Sequence, residues 1–540
     1  MSATAETAAT APARPAGGSR LDRVPPRVLS SAVGIAVLLL WELLARTVYA
    51  GSYRLSPPTA VVVEFFEFRG LYLRNLWHST KTAAWGFLWG NLAAMALAVA
   101  STLLPWLRRS IGAVVLTVFC LPFIAIAPIL RLITGPGNAT PIALSALAVV
   151  FTTYVAALLG FDLAPGSALD VVRSYGRGRL TAFRSVRVRA SVPALFAGLQ
   201  IAAPAAFLGA VVGEFTGAHR GLGILTVRAL GALQTDRIWV IAVMATIVAT
   251  GGYLAIGALG RYLCPWSPAL DVGAVPVPHT EPGLLNRLAG LLAPIAVVFV
   301  FWYAFLWVFG IEPFFAKTPV DVWAELFSVS EAPETRSIIF GALGTTLWTT
   351  SLGYVVGLVG ALASALVFIL VPWLERALMP IAVALRSIPI IVTTPVIILF
   401  VGRGLLTTTA IVAVMSFFPT LVNCYTAMTR TPEGILDVLR SYDATSTANV
   451  RNAYLPTSVP ALLASARIAV PTSLLGATVA EWLATGDGIG AVMVTAFTRN
   501  DFKILWVSVA VLTIVAVIGY WLVAAFELRT LERMAPGISR

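Results

Sequence analysis

The candidates for a functional site are four charged residues within long apolar stretches, where a charge is costly. Glu214 and Glu481 come near the end of two such stretches, and Arg386 and Arg467 lie deeper. An arginine there could attract an anionic substrate along a path through the membrane, and a carboxylate near its mouth could form a gate or a packing contact. The alternatives are carboxylates that face water at the membrane surface and arginines that bond to helix breaks or extend to the interface.

Other chemistry has little support. The three cysteines and three histidines are scattered, without the spacing of a metal site or a disulfide framework. A phosphate-binding loop needs a lysine between glycine and serine or threonine, and the only lysines, Lys81, Lys317 and Lys503, do not follow a glycine. The sequence therefore predicts no catalytic residue, no metal site and no ATP-hydrolysing loop on this chain.

Two polar loops share a sequence pattern that could bind a partner. Each has an acid near its start, followed by an apolar stripe and Arg-Ser-Tyr. This pattern favours a short amphipathic helix at the membrane surface, the alternative being a solvated basic loop that only sets the topology. The candidate residues are Asp170, Arg173, Ser174, Tyr175 and Gly176 in the first loop and Asp437, Arg440, Ser441, Tyr442, Asp443 and Ala444 in the second.

These loops resemble the Glu-Ala-Ala loop of binding-protein-dependent ABC importer permeases. That loop reads roughly E-A-A-x-x-x-G, with a Leu-Pro about ten residues later, and the second loop here is followed by Leu455-Pro456. Glu481 and the glycines after it also fit the family, and the segment 385–389, Leu-Arg-Ser-Ile-Pro, resembles its nitrate/sulfonate/taurine branch. Aspartate replaces the family's glutamate in both loops, and only the first loop keeps the glycine.

The resemblance implies a type I ABC importer permease in the bacterial plasma membrane, with two permease units fused in one chain. Each loop would form a coupling helix that binds a separate ATPase subunit, and these subunits would bind ATP and Mg. They would be either two copies of one subunit or a pair of subunits. An extracytoplasmic substrate-binding protein would deliver a small polar solute, such as an organic or inorganic anion. Because Arg386 lies in a pattern typical of the family, the resemblance favours a structural role for it.

An internal repeat at an offset of 267 residues supports two fused units. Arg173-Ser174-Tyr175 corresponds to Arg440-Ser441-Tyr442, Glu214 corresponds to Glu481, and no gap separates these matches. Each unit has an even number of predicted spans, so the two units must point the same way across the membrane. Parallel units related by an axis along the membrane normal enclose a central path.

Glycines four residues apart also recur in the repeat. The pairs are Gly86/Gly90, Gly353/Gly357 and Gly209/Gly213. This spacing lets two membrane helices approach closely, although glycine is also tolerated generally in membrane helices. The recurrence of the first pair in the second unit favours close packing.

Twelve apolar stretches of about 20 residues predict twelve transmembrane helices, six in each unit. Of the 540 residues, 58% are hydrophobic and 11% are charged, against about 25% charged in soluble proteins, which excludes an ordinary soluble enzyme. The predicted fold is an all-α integral membrane protein with two parallel six-helix repeats. The predicted spans are 30–50, 82–104, 111–131, 139–161, 191–214, 238–260, 289–311, 346–371, 378–401, 405–427, 460–482 and 504–526.

The basic residues predict the topology. The net charge of +12 is interpreted as the excess of cytoplasmic Lys and Arg, in contact with membrane lipid, and not as a nucleic-acid surface. Both termini are expected in the cytoplasm. The predicted divisions are a disordered cytoplasmic tail over 1–29, a first permease unit over 30–261, a Pro-rich cytoplasmic linker over 262–287 and a second permease unit over 288–535.

The alternative function is an ion-coupled secondary transporter with six plus six parallel repeats. That fold also has twelve spans and cytoplasmic termini, but ion coupling usually needs ionisable residues near the middle of the membrane. The central spans here contain few acids. The sequence therefore favours the importer permease.

Overall fold

The computed structural model describes residues 25–534, apart from residues 53, 136, 217, 265–283 and 387–389. All regular elements in the described part of the chain are helices, which confirms the all-α class. The first helix begins at Pro26, so it includes the last residues of the tail predicted over 1–29. Residues 1–24 of that tail and most of the predicted linker lie outside the described residues.

The first half is built from eleven α-helices in the described residues. They are α1 (Pro26–Arg46), α2 (Pro58–Glu67), α3 (Arg69–Leu103), α4 (Arg108–Cys120), α5 (Phe123–Thr134), α6 (Ala139–Asp162), α7 (Gly166–Ser174), α8 (Arg179–Ala182), α9 (Val188–Phe215), α10 (Leu222–Gly231) and α11 (Thr235–Leu263). A π-helical turn, Phe183–Arg187, joins α8 to α9 without a break.

The second half repeats this order. Its helices are α12 (Leu284–Val308), α13 (Pro319–Phe327), α14 (Ala332–Leu370), α15 (Pro372–Arg386), α16 (Ile390–Val401), α17 (Leu405–Thr429), α18 (Glu433–Ser441), α19 (Ser446–Asn449), α20 (Leu455–Ala480), α21 (Ile489–Thr498) and α22 (Phe502–Met534). A second π-helical turn, Val450–Tyr454, occupies the repeat position of the first, and a third, Glu481–Thr485, follows α20.

Nine helices of the described residues are long and apolar enough to cross a membrane, or ten if the bent pair α4 and α5 forms one span. The span predicted over 111–131 corresponds to this pair, which is bent by 100°. The bend follows from Leu121-Pro122, because proline has no N–H to continue a helix. The other two predicted spans, 289–311 and 378–401, fall on α12 and on α15 with α16, parts of which lie outside the described side chains, so the number twelve stays a prediction.

The helices after each opening segment keep the 267-residue offset, but the opening segments do not. Trp41 stacks near Trp239, with ring centroids 4.6 Å apart, and Trp302 stacks on Trp506 at 5.5 Å. The second tryptophans of these pairs differ by 267 positions, whereas the first ones differ by 261. Six additional residues therefore lie between the first helix and the repeat core in the second half. The turn between α13 and α14 has four residues against one between α2 and α3, and α14 is four residues longer than α3, whereas α13 is one residue shorter than α2.

The two halves are joined by crossed packing of their first helices. Helix α1 packs against α15 of the second half, and α12 packs against α4 of the first half. Close to the middle, α5 contacts α20, α21 and α22, while α16 contacts α9, α10 and α11. Each half therefore covers part of the other.

Close approach of helices confirms the packing interpretation of the repeated glycines. A Cβ atom at Gly86 or Gly90 would overlap α6, at Ser145 and Val149 respectively. One at Gly357 would overlap Ser416 of α17. Only a residue without a side chain allows the backbones to lie this close.

Candidate functional site

Short exposed helices are present at both predicted coupling loops. Helices α7 and α18 follow the long helices α6 and α17, and none of their residues is buried. The tyrosine that follows each helix is exposed to the same degree in both halves: Tyr175 is 80% and Tyr442 is 82% exposed. The shared pattern places a large aromatic side chain in solvent at the end of each helix, which is an unusual exposure for a residue without a partner.

Both helices have the same internal ion pair. Arg173 donates to Asp170 at 3.1 Å, and Arg440 donates to Asp437 at 2.9 Å. The acids and bases are three residues apart, so each pair lies on one helix face. Ser174 and Ser441 donate to backbone carbonyls one turn earlier, which leaves the tyrosines and the valines as the groups free to contact another protein.

The chain leaves each of these helices through a left-handed residue. Gly176 has φ +67° and Asp443 has φ +47°, and the N–H groups of both donate to the carbonyl three residues back. Ala444 donates to the Leu439 carbonyl at 3.0 Å. The two turns therefore have the same backbone, although aspartate is less suited than glycine to this conformation.

Glu214 and Glu481 are buried, with 0% and 3% exposure, so the interpretation of water-facing carboxylates is wrong. The Glu214 carboxylate accepts hydrogen bonds from the Ser79 hydroxyl at 2.9 Å and from the Gly223 N–H at 2.8 Å. The Ser79 hydroxyl in turn accepts from the Leu222 N–H at 2.8 Å. One carboxylate thus ties α3 and α9 to the first turn of α10.

The second half repeats the arrangement at equivalent positions. Glu481 accepts from Thr346 and from the Gly490 N–H, both at 2.9 Å, and Thr346 accepts from the Ile489 N–H at 2.8 Å. We refer to these two clusters, Ser79/Glu214/α10 and Thr346/Glu481/α21, as the carboxylate latches. Each carboxyl group lies at the N-terminus of a helix, where it accepts from one of the N–H groups that have no partner within the helix.

Glycines make room for each latch. Gly221 and Gly488 have φ of +129° and +90°, and a Cβ atom at either would overlap the glutamate carboxylate. The sequence indicated the glutamates and these glycines but missed Ser79 and Thr346. Their separation of 267 residues was a signal that could have identified them.

Arg467 has an acidic partner that the sequence did not indicate. Its Nη1 atom lies 3.0 Å from Glu527 Oε2, and its guanidinium lies 5.7 Å from the centre of the Tyr520 ring. Both charged side chains are nearly buried, with 14% and 10% exposure. Glu527 is one residue beyond the predicted span 504–526, so it was not counted among the charges in the membrane.

Arg386 ends α15, and its side chain lies outside the described part of the structure. The equivalent residue of the first half, Phe119, lies just before the bend between α4 and α5 and stacks on Phe151 at 4.1 Å. The residue equivalent to Arg467 is Gln200, which lies against Gly257. The positive charges predicted for the path therefore occur in the second half alone.

Between the halves lies an apolar cluster, here termed the central cluster. Its members from repeat-equivalent positions are Leu144 and Ile411, and Val212 and Val479, all completely buried. Phe123 and Ile124 at the start of α5 belong to it as well. Since Val212 and Val479 lie two residues before the latch glutamates, the latches and this cluster occupy neighbouring levels of α9 and α20.

The end of the molecule opposite the coupling loops has a polar cavity of about 550 Å³. Glu64 and Arg237 line it and form an ion pair at 3.3 Å, and Tyr72 donates to Glu64 at 2.8 Å. The sequence did not single out these residues, because they lie outside the repeat matches. Among the described residues, no group of three or more His, Cys, Asp or Glu could hold a metal ion.

Comparison with known proteins gives the family. Residues 87–266 and 353–532 each match the family described as binding-protein-dependent transport system inner membrane component. These are two stretches of 180 residues, together two thirds of the chain, and they start 266 residues apart. The match to two tandem copies confirms the resemblance and the fusion.

Individual relatives each match one half of the chain. The formylaminopyrimidine transport permease protein of Halalkalibacterium halodurans is 28% identical over 40% of this chain and 84% of its own length. The riboflavin transport system permease protein of Chloroflexus aurantiacus is 27% identical over 44% of this chain and 87% of its own length. The putative aliphatic sulfonates transport permease protein of Escherichia coli is 24% identical over 45% and 93%.

Family membership favours the importer over the ion-coupled transporter and agrees with the apolar helices of a multi-pass inner-membrane protein. The chain belongs to the binding-protein-dependent transport system inner membrane component family, and is a permease component of an ABC importer with two permease units in tandem.

Proposed function

We propose that this chain supplies both membrane halves of an importer whose ATPase subunits dock on α7 and α18. The observation that carries the proposal is the pair of exposed helices with the same Asp-Val-x-Arg-Ser-Tyr sequence, the same ion pair and nearly equal tyrosine exposure. ATP and Mg belong to those subunits, since this chain has no Gly-Lys-Ser/Thr loop. The two docking helices would provide one binding site for each of the two ATPase subunits.

A continuous route leads from each docking helix to the middle of the molecule. After α7, one helical stretch runs from Arg179 to Phe215, about 55 Å at 1.5 Å per residue. It includes Val212 of the central cluster and ends at the Glu214 latch. A pull on α7 is therefore transmitted to the cluster, and we propose that separation of Val212 from Val479 opens the path.

The latches determine which helices move together with α9 and α20. Because Glu214 also binds α3 and α10, a shift of α9 must carry these elements along or break hydrogen bonds of a buried carboxylate, which is costly. We propose that they move as one body, and that the same holds for α14, α20 and α21 in the second half.

For the substrate we propose a small polar solute, and specifically a small organic or inorganic anion. Relatives are named for formylaminopyrimidine, riboflavin and aliphatic sulfonates. Arg467 is neutralised by Glu527, so Arg386, the last residue of α15, is the better candidate for attracting an anion. A substrate-binding protein would deliver the solute at the end with the polar cavity, and both chain termini would lie in the cytoplasm with the docking helices.

Replacing both exposed tyrosines by alanine tests the docking helices. We expect Tyr175→Ala/Tyr442→Ala to lose co-purification of the ATPase in mild detergent, and to lower ATP-driven uptake in proteoliposomes at least tenfold. Tyr262→Ala is the control, because Tyr262 is equally exposed, at 82%, near the same end of the molecule. Uptake by the chain alone under an ion gradient, without ATP, would refute the proposal.

A further inference from the structure

The two coupling segments have opposite charge on the same backbone. Residues 166–190 and 433–457 correspond at the repeat offset and have the same two helices and π-helical turn. The first has six arginines and one aspartate, a net charge of +5. The second has two arginines, one glutamate and two aspartates, a net charge of −1.

Most of the charge difference lies after the part that the two segments share: Glu433 accounts for one of the six units, and the other five follow Tyr175 and Tyr442. From the aspartate to the tyrosine the two docking helices differ in sequence only at Val172 and Leu439, and their exposure agrees, since Val171 and Val438 are 56% and 57% exposed. Five arginines of the first segment follow this point, Arg177, Arg179, Arg184, Arg187 and Arg189, against Arg451 alone in the second segment. A docking surface for an ATPase would be needed on both segments, so these arginines serve something that only the first half binds.

The position of three of these arginines is given by the neighbouring helices. Ser191 of α9 lies against Gly160 of α6, where a Cβ atom would be 2.7 Å from the Ser191 Cα. Two residues later α6 ends at Asp162, which pairs with Arg108 at 2.5 Å. Arg189, Arg187 and Arg184 then lie about 3, 6 and 10 Å beyond Ser191 along the same helix direction.

Arg189 is therefore level with the charged ends of α4 and α6, where a membrane's headgroup layer begins, and Arg187 and Arg184 lie about 3 and 7 Å farther out. Within the described part of the chain, none of them has an ion-pair partner, and Arg184 and Arg189 are exposed. Their counterparts in the second half are Arg451, Tyr454 and Pro456. The second half thus keeps only one of the three arginines.

We propose that Arg184, Arg187 and Arg189 form a binding site for anionic phospholipid headgroups, of which the second half keeps only Arg451. Guanidinium groups bind phosphate oxygens through two parallel hydrogen bonds. A basic residue near an anionic membrane surface strengthens binding by roughly fivefold. The site anchors the segment that leads into α9 to lipid, whereas the segment that leads into α20 has only Arg451 for this contact. It does not depend on ATP-driven transport.

Lipid binding to the full chain in detergent tests the site directly. Delipidated protein is mixed with equal amounts of phosphatidylglycerol and phosphatidylcholine, and bound lipid is counted by native mass spectrometry. We expect the unmodified chain to prefer phosphatidylglycerol, and Arg184→Gln/Arg187→Gln/Arg189→Gln to lower this preference at least tenfold. Arg54→Gln/Arg69→Gln/Arg74→Gln removes three exposed arginines from the opposite end and should keep it.

Three results would overturn the proposal: an equal preference in the variant, an equal loss in the control, or a loss of the ATPase from the variant with the lipid preference intact. The last would assign the arginines to the ATPase interface. Because lipid counting needs no ATP and no solute, failure of the importer proposal would leave this measurement unaffected. The triple variant should elute as a folded species in gel filtration, since its side chains lie outside the buried core.

Discussion

At the scale of single residues, each latch hydroxyl connects two other groups, because it donates to the glutamate and accepts from a backbone N–H of the next helix. We expect Thr346→Val to lower the free energy of unfolding by about 1–3 kcal/mol, because the Ile489 N–H and a Glu481 oxygen each lose a buried partner. Valine keeps the shape of threonine, so packing changes little. The measurement is unfolding by denaturing detergent in mixed micelles.

The neighbouring hydroxyl provides a control for this substitution. Thr345 is exposed and donates only to the backbone of its own helix, so Thr345→Val should change stability by less than about 0.5 kcal/mol. Ser79→Ala should repeat the effect in the first half. Equal stability of the Thr346 and Thr345 variants would show that the latch contributes nothing.

A double-mutant cycle tests the buried ion pair. We expect Arg467→Gln or Glu527→Gln alone to destabilise the protein by about 3 kcal/mol, because each leaves one nearly buried charge without its partner. The double substitution should recover most of the loss, since the equivalent position of the first half already has Gln200. Additive losses would mean that the two charges do not interact.

Comparing the Arg467/Glu527 double variant with an Arg386 variant distinguishes an effect on stability from an effect on substrate affinity. Arg386→Gln should raise the KM for an anionic solute with little change in stability, whereas Arg467→Gln/Glu527→Gln should leave the KM unchanged. If the KM rises in the Arg467 double variant and not in the Arg386 variant, the assignment of the anion-attracting residue is reversed. Stability-corrected uptake rates in proteoliposomes give both values.

Much of the residue-scale picture could be predicted, for identifiable reasons. Glu214 and Glu481 were identified because charge in an apolar stretch is costly and because they repeat. Their burial could not be predicted, because it depends on α10 and α21 folding back onto α9 and α20. Glu527 was missed because the apolar stretch ends before it, although the helix continues to Met534.

At the scale of elements, the turn after each docking helix offers a reciprocal test. Aspartate at φ +47° costs energy that glycine does not, so Asp443→Gly should stabilise the end of α18 by about 0.5–1 kcal/mol. Hydrogen exchange of the Ala444 amide should then slow by about twofold to fivefold. Gly176→Asp, where a Cβ atom would have nothing within 4 Å, should speed up exchange at Arg177 by a similar factor.

Helix packing through glycine allows a comparison within one helix. In α14, Gly353 and Gly357 lie against α17, and a Cβ atom at Gly353 would be 2.6 Å from the Thr409 carbonyl. Gly341 of the same helix has nothing within 4 Å. We expect Gly353→Ala to destabilise the protein by about 1–3 kcal/mol through overpacking, and Gly341→Ala to be neutral or stabilising. Equal effects would exclude the packing role.

Apolarity predicted the helices but not their lengths. The fifth span was predicted over 191–214, yet its helical stretch begins at Arg179, because the part beyond the membrane surface is polar and basic. The bend between α4 and α5 was missed for the opposite reason, since both arms are apolar. Hydropathy reports the surroundings of a helix, whereas its ends and bends depend on hydrogen bonds and on residues such as Pro122.

At the scale of the whole molecule, the crossed packing of α1 on α15 and of α12 on α4 connects the halves independently of the chain between them. The 267-residue repeat indicated two units, but it could not indicate which helix covers which, because that requires contacts between the units. Contacts across the central cluster add to this crossed packing. The two halves are thus held together twice, by the outer helices and at the middle.

A split chain tests this connection. We expect separate polypeptides 1–271 and 272–540 to co-purify and to keep most of the uptake when produced together, because van der Waals packing of the outer helices persists without the linker. Removing α1 as well, with a first polypeptide of 52–271, should weaken association strongly, since α15 then loses its contact with α1. A first polypeptide of 25–271, which keeps α1 and lacks only the preceding residues, is the control. If the intact halves fail to associate, the covalent link and not the crossed packing holds the molecule together; if loss of α1 has no effect, the central contacts alone are sufficient.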